Sequence, residues 1–193
     1  MARPKEFDRN TALLKAMQVF WAKGFEGASM SDLTETMGIS RSSLYETFGD
    51  KEDLFLEALN FYMQDIDRRR MATFTRTGSV KQGMKDFLYG AVKFVLNEEQ
   101  PGGCFLTNTA TALGTLDPHF QEMIRRHLEK QEEEFYLLLE QGVKSGEISP
   151  EKNPRELARF FVGLIRGVTV VARIHKDRKL LEDIVNVGLK AMD

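Results

Sequence analysis

The stretch MGISRSSLYETFGDKEDLF, residues 37–55, decides how this chain is read. Gly38 interrupts a helical pattern just after Met37, Ser40 starts a new helix, and Asp50-Lys51 starts another. The helix between them has room for about two turns, too few to be stable alone in water. Leu44 and Phe48 give it one apolar pair four residues apart, and its remaining side chains are charged or hydroxylated. Such a helix has to be held from behind, which leaves its other face available for recognition.

The flanking sequence supplies the support. From Asp8 to Lys23, Leu13, Leu14, Met17, Phe20 and Trp21 recur at spacings of three and four, and Gly24 supplies a stop. Ser29 with Asp32 three residues later is a capping-box start for a short helix bearing Leu33 and Met37. Asp50 with Asp53 repeats that pattern for a longer helix. Its stripe is Leu54, Ala58, Leu59, Tyr62, Met63 and Ile66, with Arg68, Arg69 and Arg70 near the far end.

Helix, glycine turn and short polar helix is the order of a helix-turn-helix, whose second helix enters the DNA major groove. Leu44 and Phe48 are expected to pack on Leu33, Met37 and the Leu13–Trp21 face. Arg41 can fork onto a guanine or a phosphate, and Ser42, Ser43 and Thr47 are short donors suited to close approach. Tyr45 sets a phenol at the rim, and Lys51 with the amides of the Asp50-capped helix offers a second phosphate anchor. An ordinary short surface helix would show the same periodicity, so spacing alone leaves both readings open.

The set of residues decides between them. GFEGASMSDLTETMGISRSSLYETFGDKEDLF resembles the DNA-binding segment of the TetR family of bacterial transcriptional regulators. The matching positions are Gly24-Phe25, Ser29, Leu33, Gly38-Ile39-Ser40, Leu44-Tyr45, Phe48, Lys51 and Leu54. Ala28 stands where a Thr is usual, Thr34 where Ala is favoured, Ser42 where Gly is frequent and Thr47 where His is frequent. The last two bear on which operator is read. Together, motif and resemblance assign Ser29, Ser40, Arg41, Ser42, Ser43, Tyr45, Thr47 and Lys51 to DNA binding. Arg3 and Lys5, on a short arm ahead of the first helix, are DNA-binding candidates that can reach phosphates or the minor groove, or else belong to a disordered solubilising terminus.

Composition limits the other classes. The 193 residues are 42% hydrophobic and 29% charged, with a net charge of −2. That charge does not advertise nucleic-acid binding, but an acidic second domain can mask a local positive face. No stretch approaches the roughly 20 apolar residues of a membrane span, and MARPKEFDRN lacks the apolar core of a secretory signal. The single Cys104 excludes an internal disulfide, and a cytoplasmic location is expected. His119, His127, His175 and Cys104 match no metal-ligand spacing, and no nucleophile-base set or phosphate loop supports an enzyme. No metal or other cofactor is expected.

The remaining chain reads as helix after helix, so the fold class is all-α. A helix-turn-helix DNA-binding domain is expected over residues 1–52, with a fourth helix from about residue 51 linking to an effector-binding and dimerisation domain over 53–193. The resemblance implies a homodimer whose last two long helices pair with their mates and whose larger domain takes a small effector. The segment from Phe160 to Ile174 is apolar enough to suit a subunit interface, or to fill the core of a single protomer. Phe160, Leu164, Val168, Val171, Leu181, Ile184 and Val185 are the expected interface residues. Phe87, Cys104, Phe105, Phe120, Met123, Phe161 and Arg166 are pocket candidates, although Phe and Met are equally core material. An Arg on a helix as apolar as that of Arg166 needs a partner, either a bound anion or a neighbouring Glu. The acidic run Glu129–Glu134 reads as a solvated face. The function expected is a repressor that binds a palindromic operator and is released by a small effector. The alternative is a helical interaction or ligand-binding protein that has lost specific DNA binding.

Overall fold

The computed structural model describes residues 7–112 and 118–193, so Arg3 and Lys5 lie outside the described residues. Every regular element among the described residues is helical. In chain order they are α1 (Arg9–Gly27), α2 (Met30–Met37), α3 (Arg41–Phe48), α4 (Lys51–Thr75), α5 (Val80–Val95), α6 (Phe105–Thr111), α7 (Pro118–Lys144), α8 (Pro154–Ile174) and α9 (Arg178–Leu189). None is long and apolar enough to cross a membrane. By compactness the chain divides into Met1–Gln64 and Asp65–Asp193, a division that falls within α4.

In the first unit the helix ends are set by local chemistry. Asp8 caps α1 by accepting from Thr11 N at 2.7 Å. α1 breaks at Gly24, where φ is 72°, and a last turn carries on to Gly27. The capping box at α2 is complete: Ser29 Oγ accepts from Asp32 N and Asp32 Oδ2 accepts from Ser29 N, both at 3.0 Å. Lys23 Nζ, 2.5 Å from Asp32 Oδ1, leads the interactions that hold this carboxyl at about 2. Gly38 ends α2 in the left-handed conformation (φ 73°, ψ 32°), and its N–H donates to the Thr34 and Glu35 carbonyls. Ser40 Oγ then accepts from Ser43 N to start α3. At α4, Asp50 Oδ1 accepts from Glu52 N and Asp53 N, and Asp53 Oδ2 accepts from Asp50 N.

These caps orient an apolar interior. Leu13, Phe20, Trp21, Leu33, Met37, Leu44, Phe48, Leu54 and Phe55 are buried, with Phe20 against Phe55 at 4.9 Å and Trp21 against Tyr62 at 5.1 Å between ring centroids. Leu14 departs from expectation and is 41% exposed. The buried face of α1 runs through Ala12, Ala16 and Phe20, and Leu14 lies on the far side of the helix from Ala16.

The second unit is built around Met84, Leu88 and Val92 of α5, Phe135 and Leu139 of α7, Phe161, Ile165 and Val168 of α8, and Leu181 and Val185 of α9. Phe87 joins this core through rings 5.6 Å from Phe74 and 5.5 Å from Phe135. Glu147, in the connection between α7 and α8, caps α5 by accepting from Ser79 Oγ and from the amides of Val80 and Lys81. Gly38→Ala is expected to destabilise the protein by about 1–2 kcal/mol, because a Cβ there disfavours the left-handed backbone although it meets nothing within 4 Å. Urea unfolding of the variant beside the wild type checks this.

Candidate nucleic-acid interface and a buried polar cluster

α3 divides cleanly into two faces. Leu44 and Phe48 are 0% and 5% exposed, whereas Arg41, Ser42, Tyr45 and Glu46 are exposed. Arg41 and Tyr45 lie one turn apart with the guanidinium 5.8 Å from the ring centroid, so both present their polar ends on the same face. Ser40 Oγ contacts the Ser42 and Ser43 hydroxyls at 2.9 Å each, and Ser43 is half-buried. Ser29 is exposed, but its hydroxyl serves the α2 capping box. Thr47 is half-buried and its Oγ1 is enclosed, so the donors on the open face of α3 are Arg41, Ser42 and Tyr45, beside the exposed carboxylate of Glu46. Lys51 is half-buried at the start of α4, with Nζ 4.5 Å from the Phe25 ring centroid.

This face belongs to a recognisable segment. Residues 12–58 match the family model described as bacterial regulatory proteins, tetR family, and residues 82–187 match a tetracyclin repressor-like C-terminal domain. The chain belongs to the TetR family of transcriptional regulators. It is similar to an uncharacterised HTH-type transcriptional regulator, YezE, of Bacillus subtilis, at 33% identity over the whole of both chains. It is also 31% identical to the HTH-type transcriptional repressor ComR of Escherichia coli, over 97% of this chain and 90% of that protein. Among solved structures it resembles a cysteine mutant of the TetR family regulator CifR complexed with 26-bp operator DNA, with a TM-score of 0.88 and 33% identity. That match covers 99% of this chain and all of the other. Membership makes this chain a regulator and not an enzyme.

In this TetR-family chain the expected pocket residues separate into two groups. Phe87 and Phe161 belong to the apolar core around Phe135. Phe105 and Phe120 are also buried, and Met123 is half-buried. Arg166 and Cys104 instead meet in a polar cluster. Arg166 donates to Gln131 Oε1 and to Thr107 Oγ1 at 3.4 Å, and its Nη1 lies 3.9 Å from Cys104 Sγ. Thr169 Oγ1 lies 3.1 Å from Thr107 Oγ1, and Gln131, Thr107 and Thr169 are all buried.

The cluster continues into an ionic network that sequence reading missed. Arg70 is 1% exposed and donates to Glu134, and to Asp67 Oδ1 at 2.7 Å. Lys130 Nζ reaches Asp67 Oδ2, also at 2.7 Å. Glu134 is therefore not part of a solvated acidic face. Its neighbours Glu132 and Glu133 pair with Arg155, and Glu132 also with Arg159. Burial alone would raise the Asp67 carboxyl, but Lys130 and Arg70 outweigh it and the net shift is downward. His127 Nε2 stands 3.7 Å from Asp67 Oδ1, too long for a hydrogen bond. Burial, reinforced by Arg166, Arg70 and Lys130, lowers the ring to about 4 against the pull of Asp67, so it is neutral near pH 7 and no ion pair forms. One signal could have found it: His127 and Gln131 continue the Phe120–Ile124 stripe of α7 toward Phe135, and a polar pair inside an apolar stripe marks a buried polar site.

The expected interface residues also divide. Val168, Leu181 and Val185 are fully buried within the protomer, and Leu164, Val171 and Ile184 pack partly buried against its core. Phe160 is 43% exposed, and Val170, Ile174 and Val187 join it as exposed apolar side chains of α8 and α9.

Because the folded ring resists the proton that the unfolded chain accepts, His127 makes stability fall as pH drops from about 6.5 to about 4, by at most about 3 kcal/mol. Unfolding measured across that window is expected to show this slope in the wild type and a flatter one in His127→Phe.

Proposed function

We propose that this chain is a repressor that binds a palindromic operator as a homodimer through α3 and releases it when a small effector binds the C-terminal unit. The observation that carries the reading is the division of α3 into a buried apolar pair and an open face with Arg41, Ser42 and Tyr45. A guanidinium can engage a guanine or a phosphate in two places at once, and the phenol of Tyr45 reaches an adjacent backbone oxygen. Ser40 and Ser43 hold the helix start, and Lys51 adds a cation at the next helix start. Similarity to ComR, named as a repressor, and to CifR, solved with 26-bp operator DNA, supports the same reading.

Dimerisation is supported by Phe160, Val170 and Ile174 on α8 and Val187 on α9, large apolar side chains left exposed in one protomer. Two-fold symmetry gives two copies of α3 about one DNA turn apart, roughly 34–36 Å, and hence a palindrome. The effector acts by binding the DNA-incompatible state more tightly, and DNA must weaken effector binding by the same factor.

Fluorescence anisotropy against DNA from upstream of the chain's own gene tests this. Saturable binding that weakens steeply with salt is expected, and Arg41→Ala should lose about tenfold or more in affinity. Binding that is indifferent to both DNA sequence and Arg41→Ala would favour the ligand-binding protein that has lost DNA recognition.

A further inference from the structure

The buried polar cluster of the C-terminal unit has donor capacity that its own groups do not use. Arg70 Nη1 and His127 Nε2 are both enclosed, and neither has a hydrogen-bond partner among the described residues. Their side chains approach the same oxygen, Asp67 Oδ1, with Arg70 Nη2 at 2.7 Å and His127 Nε2 at 3.7 Å, so the two unused nitrogens belong to one small region. Leaving buried polar atoms unsatisfied is costly, on the order of 1–3 kcal/mol each, and a site that retains two around one carboxylate points to an acceptor from outside the chain.

The sign of the acceptor follows from the surroundings. Arg166, Arg70 and Lys130 act on the His127 ring from three helices or turns, and Asp67 opposes them. Asp67 itself is engaged by Lys130 and Arg70, and Glu134 by Arg70, so both of these carboxylates are already committed to cations. Next to them Arg166 is held in place by the neutral oxygens of Gln131 and Thr107. We propose that this cluster recognises an anionic oxygen of the effector, a carboxylate in the simplest case, with Arg70 Nη1 and His127 Nε2 as its donors and Arg166 as the nearby cation. The proposal deepens the effector reading above and rests on it.

His127 must carry its proton on Nε2 to donate in the neutral form, and an anion beside it also favours full protonation. Binding is therefore linked to proton uptake. Among the described residues, the titratable and charged groups that share the cluster are Asp67 and Arg70 of α4, Cys104 before α6, Lys130 and Glu134 of α7, and Arg166 of α8. Of these and His127, the imidazole is the group whose ordinary titration range lies nearest to neutral on the acid side.

Isothermal titration of the full chain with butyrate, hexanoate and benzoate, each beside its neutral amide, tests the proposal. At least one carboxylate is expected to bind about tenfold or more tightly than its amide. Its affinity should rise between about pH 7 and about pH 5.5, where the probe stays ionised, with proton uptake on binding. His127→Phe should lose both the preference and the pH dependence. His127→Asn keeps a donor without a titratable ring, so it should retain part of the preference and lose the pH dependence. No carboxylate binding more tightly than its amide, or an unchanged pH dependence in both variants, overturns the proposal. Operator release measured with the same probes separates it from the repressor reading. Release by neutral compounds alone, with no carboxylate preference, removes the anion site and leaves the repressor. Carboxylate binding with no operator binding at all supports the anion site and removes the repressor.

Discussion

The burial of Leu44 and Phe48 is the contact on which the rest of the DNA-binding unit depends. An eight-residue helix gains too little from its own hydrogen bonds to persist in water. Burying two large apolar side chains contributes roughly 1.5–3 kcal/mol each, enough to hold such a helix against its neighbours. Ser40 at its start and the Gly49 amide donating to Tyr45 O at its end complete the helix without calling on the outer face. Structure and recognition are thereby separated within eight residues. Arg41, Ser42 and Tyr45 can serve chemistry because Leu44 and Phe48 have already secured the fold.

The C-terminal unit makes the opposite arrangement. Its α7 presents Phe120, Ile124, Phe135 and Leu139 to the interior, and between them it presents His127 and Gln131. A fully enclosed Arg70 with two carboxylate partners adds little net stability over an apolar replacement of the same shape, yet removing one partner would strand a buried charge. Such a network specifies where its helices sit more than it strengthens them. Its donors and charges are also what an apolar pocket lacks, namely groups that distinguish one small molecule from another.

How much of this was legible in the sequence follows the range of the interactions. The helix starts at Ser29, Ser40 and Asp50 were readable because a capping residue and its partner lie within three positions of each other. The turn at Gly38 was readable because its conformation excludes most other residues. Leu14 was misjudged because α1 faces its core through small alanines, which a count of large apolar residues overlooks. Arg70, His127 and Glu134 were missed because their burial is decided by helices brought together from sixty residues away, as the Arg70–Glu134 separation of 64 positions illustrates. The cap that Glu147 places on α5 from 66 to 68 residues downstream escapes sequence reading for the same reason. Val168, Leu181 and Val185 are apolar and well suited to an interface, but periodicity cannot tell a protomer's core from a subunit contact.

Selection of bound sequences from random double-stranded DNA by the full chain tests the central claim most directly. If two copies of α3 read DNA as a symmetric pair, the selected sequences converge on a palindrome whose half-sites are separated by about one helical turn or slightly more. Selection that yields no consensus, or a consensus without two-fold symmetry, would contradict the account.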